Sequence, residues 1–197
     1  MTDSENTFKS AKSAGCIEVI CGSMFSGKTE ELMRRLNLAL IKNLDVHIFK
    51  PQIDTRYAQH AIVSHNQKTM PCTAIPTSTE ILKFKKDQQV IAIDEAQFFD
   101  RDLPHVCNTL ANAGIRVVVA GLDMDFRGHP FGPIPALMAI ADDVTKLQAV
   151  CVRCGKPALY SFRFTGGTTQ ILLGETNAYE PRCRNCYHNY STKSHSL

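Results

Sequence analysis

A chain of 197 residues, 44% hydrophobic and 21% charged, lies in the ordinary globular range and suits one domain with at most a small appendage. Its net charge of +3 includes no Lys/Arg run longer than two, so charge points to no nucleic-acid partner. No apolar run approaches the ~18 residues of a membrane span.

Met1 to Ala14 is polar, includes Lys9 and Lys12, and lacks the apolar stretch of a secretory signal. The expectation is a loose tail on a protein kept in a reducing, cytoplasmic location. From Cys16 to Leu147, short apolar runs alternate with amphipathic stretches, which predicts a parallel α/β sheet. Strands are expected at Ile17–Cys21, Val46–Phe49, Val90–Ile93, Arg116–Ala120 and Val144–Leu147. Helices are expected over Glu30–Lys42, Leu103–Ala113 and Ala136–Ala141. In the first helix Leu32, Leu36 and Leu40, with Met33, define the predicted apolar face. Asp100 or Asp102 is the expected cap of the second, and Gly114 its stop. After Gln148 the segments shorten into a β-rich lobe. The expected division is a tail over 1–14, an α/β domain over 15–148, a lobe over 149–190 that Cys151, Cys154, Cys183 and Cys186 mark as zinc-binding, and a frayed end over 191–197.

Gly22-Ser23-Met24-Phe25-Ser26-Gly27-Lys28-Thr29 matches G-x-x-x-x-G-K-[ST] between a predicted strand and a predicted helix. Glycines let successive backbone N–H groups converge on the phosphates of ATP at a helix N-terminus. Lys28 would reach the β- and γ-phosphates, and Thr29 would place its hydroxyl on Mg²⁺. Val90-Ile-Ala-Ile93 then runs into Asp94-Glu95 at the sheet edge where α/β folds bind ligands. Asp94 fits a magnesium-holding role. Glu95, expected on the opposite side by strand alternation, is left to serve as general base. Whether it activates water or a substrate hydroxyl the dipeptide does not decide.

Of eight cysteines, Cys16, Cys21, Cys72 and Cys107 are scattered. The others form Cys151-Val-Arg-Cys154 and Cys183-Arg-Asn-Cys186, with residues 155–182 between the pairs. Two such knuckles complete a tetrahedron around Zn²⁺, and four protein ligands make the site structural. Disulfides and a redox Cys-x-x-Cys are the alternatives. The spacing leaves room for a hairpin over Tyr160–Leu173.

With these features in this order, the chain resembles the cellular-type, zinc-containing thymidine kinases. The resemblance runs from Cys16 to Tyr187. It is carried by the phosphate cradle, Asp54-Thr-Arg-Tyr57, Ile93-Asp-Glu-Ala-Gln-Phe-Phe99, Leu122-Asp-Met-Asp-Phe126 through Pro130-Phe-Gly132, and the two cysteine pairs. It implies a P-loop NTPase-like sheet and phosphorylation of thymidine by ATP, a salvage step toward DNA synthesis. Glu95 would take the 5′-hydroxyl proton, with Arg56 near the transferring phosphoryl group and Asp54 in the same loop. Met24, Phe98, Leu122, Phe126 and Tyr179 would surround the thymine ring, Ser161 standing where a threonine often contacts the base. Backbone groups around Leu172 and Gly174 would read its edge from a lid anchored by zinc. A homotetramer inhibited by thymidine triphosphate is also implied. A methyl contact discriminates by only about 1–3 kcal/mol, so deoxyuridine is an expected second substrate. Two rivals remain open at the level of residues, a P-loop ATPase or motor, and a nucleotide-responsive zinc-ribbon protein that binds nucleic acid.

Overall fold

Apolar runs of four to six residues are too short for helices and buried on both faces, and they form the strands of one parallel sheet. The computed structural model describes residues 15–54, 61–63, 69–84, 88–164 and 178–191. In chain order it contains β1 (Cys16–Gly22), α1 (Lys28–Ile41), β2 (Val46–Pro51), β3 (Ala61–Val63), β4 (Thr69–Pro71) and β5 (Thr73–Ile75). A 3₁₀ segment (Ser78–Phe84), β6 (Val90–Ile93), a 3₁₀ turn (Ala96–Phe98), α2 (Leu103–Asn112), β7 (Arg116–Gly121), α3 (Ile134–Ile140) and β8 (Asp143–Leu147) follow. The last part holds β9 (Ala149–Val150), β10 (Pro157–Ala158), β11 (Tyr160–Arg163), β12 (Tyr179–Arg182) and α4 (Arg184–Ser191).

The main sheet has the order β5-β2-β6-β7-β1-β8, with every pairing parallel. Side chains of its central strands alternate between two cores. Ile17, Val19, Ile91, Ile93, Val117 and Val119 join α2 and α3 residues on one face, while Ile20, Val90, Ala92, Val118 and Ala120 meet α1 on the other. The carboxyl ends of β6, β7 and β1 therefore lie side by side at one edge.

Two expectations need correction, and a third is untested. Leu40 is exposed and Arg35 is buried. At 3.6 residues per turn, eight residues carry Leu40 about 80° around the helix from Leu32, so Ala39 takes the inward position. Neither Asp100 nor Asp102 caps α2 through its side chain. Asp100 instead accepts hydrogen bonds from the Ser78 N–H and hydroxyl and from the Asp102 N–H. β11 pairs antiparallel with β12, and residues 165–173 of the expected Tyr160–Leu173 hairpin lie outside the described residues. Gly114 ends α2 as expected, at φ 90°.

Candidate active site

The turn from β1 into α1 is the phosphate cradle. Gly22 has φ 143°, and a Cβ there would strike the Leu147 carbonyl, so the backbone passes where no side chain fits. Gly27, at φ 85°, precedes the first helical residue, Lys28. The N–H groups of that first turn have no intrahelical partner and form an anion site at the positive end of the helix. Lys28 Nζ donates to the Ser23 carbonyl at 2.8 Å, which holds the ammonium over the loop. Ser26 Oγ donates to the same carbonyl at 2.8 Å.

Across β7 from β1, β6 ends at Ile93 and hands on to Asp94. Thr29 Oγ1 lies 3.3 Å from Asp94 Oδ2, and the Glu95 N–H donates to Asp94 Oδ1 at 2.9 Å. Burial, then the adjacent Glu95 charge, pushes the Asp94 carboxyl well above the ordinary carboxylate range. A cation between Thr29 and Asp94 would offset that cost, so an oxygen pair suited to Mg²⁺ is in place.

Glu95 is not aimed by strand alternation. Its backbone is left-handed, at φ 52° and ψ 36°, opening the 3₁₀ turn that follows. That conformation costs a non-glycine residue about 1–3 kcal/mol and persists only where the surroundings enforce it. Its carboxylate accepts a 2.6 Å bond from Gln97 Nε2, a residue that sequence reasoning passed over. Asp54 is buried at the end of the β2 turn, with Lys50 Nζ 4.0 Å away. Arg56, Leu172 and Gly174 lie outside the described residues.

Five of the residues expected around a base, Met24, Phe98, Leu122, Phe126 and Tyr179, are half-buried, while the sheet interior is fully buried. The Met24 N–H donates to Ser161 Oγ at 3.0 Å. Gln97 links Leu122 to the turn carrying Phe98, whose ring meets Phe131 edge-on at 5.7 Å. Tyr179 pairs with Arg163 across the β11/β12 ladder. Arg163, also passed over, is buried with its guanidinium 3.6 Å from the centroid of Phe126. An arginine in a short strand carries no sequence signal for that stacking.

The four Sγ atoms of Cys151, Cys154, Cys183 and Cys186 lie within 4.8 Å of one another, and Cys154 and Cys183 are 3.6 Å apart. A tetrahedral Zn²⁺ with Zn–S of about 2.3 Å needs S···S of about 3.8 Å, so the residues fit that metal. None of the four is in a disulfide. Burial pushes the Cys151 thiol up, but N–H groups of Cys183, Arg153 and Cys154 outweigh it and bring it down to about 6. A depressed thiol is ready to bind metal as thiolate.

A sequence profile described as thymidine kinase matches residues 15–187. The chain belongs to the thymidine kinase family. The thymidine kinase of Bacteroides fragilis is 55% identical over 184 residues, covering 93% of this chain and 92% of the relative. That of Porphyromonas gingivalis is 54% identical over 188 residues, covering 95% and 92%. Among solved structures, the genome packaging NTPase B204 of Sulfolobus turreted icosahedral virus 2 reaches a TM-score of 0.46 at 13% identity, over 71% of this chain and 76% of that one. A likeness that loose adds nothing to the family assignment. Membership makes the chain a kinase, an enzyme whose family reaction is thymidine phosphorylation. Among the described residues, no helix is long and apolar enough to cross a membrane.

Proposed function

We propose that the family's reaction runs here with Glu95 as general base, moving the γ-phosphoryl group of ATP to the 5′-hydroxyl of thymidine. The observation that carries the reading is the meeting, at one sheet edge, of the cradle, the Thr29–Asp94 pair and the Glu95 carboxylate. Glu95 accepts the hydroxyl proton as the oxygen attacks the γ-phosphorus, and the bond to the bridging oxygen of ADP breaks. Lys28 compensates charge on the β- and γ-phosphates, and Arg56 does so on the transferring group. Thr29 and Asp94 would hold Mg²⁺, which supplies further charge neutralisation when bound.

Met24, Asp54, Phe98, Leu122, Phe126, Ser161, Tyr179 and the backbone near Leu172 and Gly174 hold the nucleoside. The segment between the cysteine pairs covers it and keeps water from competing for the phosphoryl group. Zinc on Cys151, Cys154, Cys183 and Cys186 is structural, since four thiolates leave no open position. The α/β domain ends near 148 and the zinc lobe begins at 149. Kinship supports a homotetramer, inhibition by thymidine triphosphate and use of deoxyuridine. Eight unpaired cysteines support a reducing, cytoplasmic setting.

The test is ADP release from ATP and Mg²⁺ with and without thymidine, alongside detection of thymidine monophosphate. Thymidine-dependent ADP matched by the monophosphate is the expected result. Hydrolysis indifferent to thymidine would give Glu95 water as its partner and sink the reading.

A further inference from the structure

Gln97 is buried to 2% relative exposure at the centre of the site, where an unpartnered amide would be costly. Both ends of its side chain are used. Oε1 accepts the backbone N–H of Leu122 at 2.9 Å, and Nε2 donates to Glu95 Oε2 at 2.6 Å. The amide's orientation follows from these neighbours. An N–H can only donate, so the oxygen must face Leu122, and the NH₂ group is left to face the carboxylate. The space around it is closed. A Cβ on Gly121 would lie 2.8 Å from Gln97 Oε1 and 2.6 Å from Ile134 Cδ1. The amide thus sits in a slot that a glycine keeps open, between the end of β7 and the turn after β6.

We propose that Gln97 is a positioning residue for phosphoryl transfer, fixing the direction of the Glu95 carboxylate and referring it to Leu122 in the base pocket. This rests on the reading of Glu95 as general base. Glu95 stands outside the strand in a left-handed conformation, so strand alternation does not set its direction. A flexible glutamate sampling several rotamers would meet the 5′-hydroxyl in productive geometry only part of the time. A hydrogen bond from a rigidly held amide removes that freedom. It engages Oε2 of the carboxylate. Its other anchor, the Leu122 N–H, belongs to the segment expected to touch the ring. Base and catalytic carboxylate are thereby referenced to one side chain.

The experiment compares the full-length wild type with Gln97→Met, Gln97→Glu, Glu95→Gln and the double variant Glu95→Gln/Gln97→Met. For each, kcat, the KM values for thymidine and ATP, and Tm are measured. Gln97→Met keeps the volume and removes both bonds. Gln97→Glu keeps the acceptor for Leu122 and sets a second carboxyl against Glu95, so the pair shares a proton and the acid limb of the kcat–pH profile should move to higher pH. Orienting partners one shell out from the chemistry typically account for about 10–100-fold in activity. Both Gln97 variants should lose that much in kcat, with each KM within about threefold of wild type. In the Glu95→Gln background the methionine change should cost less than about twofold, because its target is already gone.

A kcat for Gln97→Met equal to wild type overturns the proposal. So does full multiplication of the two losses in the double variant, which would mean that Gln97 acts through packing rather than through Glu95. A different outcome, Glu95→Gln at near wild-type turnover, would overturn the general-base reading on which the proposal stands. The two failures are therefore distinguishable.

Discussion

Glu95 and Asp94 are neighbours in the chain with opposite tasks, and their surroundings separate them. Asp94 is fully enclosed, its carboxyl raised by burial and by the Glu95 charge, and it faces Thr29. It is suited to a cation. Glu95 is half-buried, stands in a left-handed conformation and takes a hydrogen bond from Gln97. Removing its charge at constant shape isolates its task. Glu95→Gln is expected to bind ATP as wild type does and to turn over about 10²–10⁴-fold more slowly. Equilibrium binding of a non-hydrolysable ATP analogue, measured beside kcat, checks both halves. Weaker binding with a normal kcat would contradict the role. The cradle, the acidic pair and the cysteines were legible residue by residue, because each is a spacing rule with a chemical cause. Gln97 and Arg163 were not, since their work depends on partners far away in sequence, namely Leu122 for the one and Phe126 for the other.

At the scale of elements, the central strands β6 and β7 were readable because burial on both faces leaves unbroken runs such as Val90–Ile93 and Val117–Ala120. β3, β4, β5 and the 3₁₀ segment Ser78–Phe84 were not predicted, and three-residue strands carry too few positions to show a period. The burial of Arg35 was also hidden, because it depends on charges brought together by the fold. Arg35 on α1 reaches Glu18 on β1 at 2.7 Å, and Asp143 and Thr145 on β8 at 3.2 and 2.7 Å. Glu18 also takes both ends of the Arg116 guanidinium from β7. Four elements are tied together away from the active site, near the starts of the strands. Burial alone would raise the Glu18 carboxyl, but hydrogen bonds from Arg116 and Arg35 outweigh it and hold the group below its usual value. A carboxylate lowered in the folded state stabilises the protein above its unfolded pKa of about 4.3. That contribution is lost as pH falls through the lower folded value. Glu18→Gln is expected to cost about 3 kcal/mol at neutral pH, at the low end for a buried pair losing one partner. It should also flatten the acid side of the stability curve. Urea midpoints measured from neutral pH downward test this, and a midpoint difference that stays constant with pH would refute it. Turnover of folded Glu18→Gln should be unchanged.

The molecule as a whole is joined where the zinc lobe meets the phosphate cradle, and that junction gives the metal site a reach beyond its own ligands. Ser23 Oγ donates to the Ala158 carbonyl at 3.3 Å, and the Met24 N–H donates to Ser161 Oγ. Phe25 packs against the cluster of Ala149, Cys151, Ala158 and Cys183. Three consecutive cradle residues thus rest on the lobe. Phe25 itself stands at φ 63°, a conformation about 1–3 kcal/mol above the ordinary regions, so the loop's shape depends on what holds it. On the far side, Tyr187 Oη donates to the Phe126 carbonyl at 2.7 Å, which connects the second cysteine knuckle to the loop after β7. A lobe this small has little core of its own, so metal binding supplies much of its folding free energy. Stripping the metal with a chelator is therefore expected to do two things. Proteolysis should open within 149–191, and affinity for an ATP analogue should fall by about tenfold or more even with no thymidine present. Ser161→Ala with the metal retained should give a milder version, about 1–3 kcal/mol from the buried Met24 N–H left without its acceptor. If metal loss is confirmed and the lobe is cleaved while the ATP analogue binds as before, the cradle keeps its shape unaided and the coupling is wrong. If both change together, and restoring Zn²⁺ restores both, the lobe supports the phosphate site as well as covering the nucleoside.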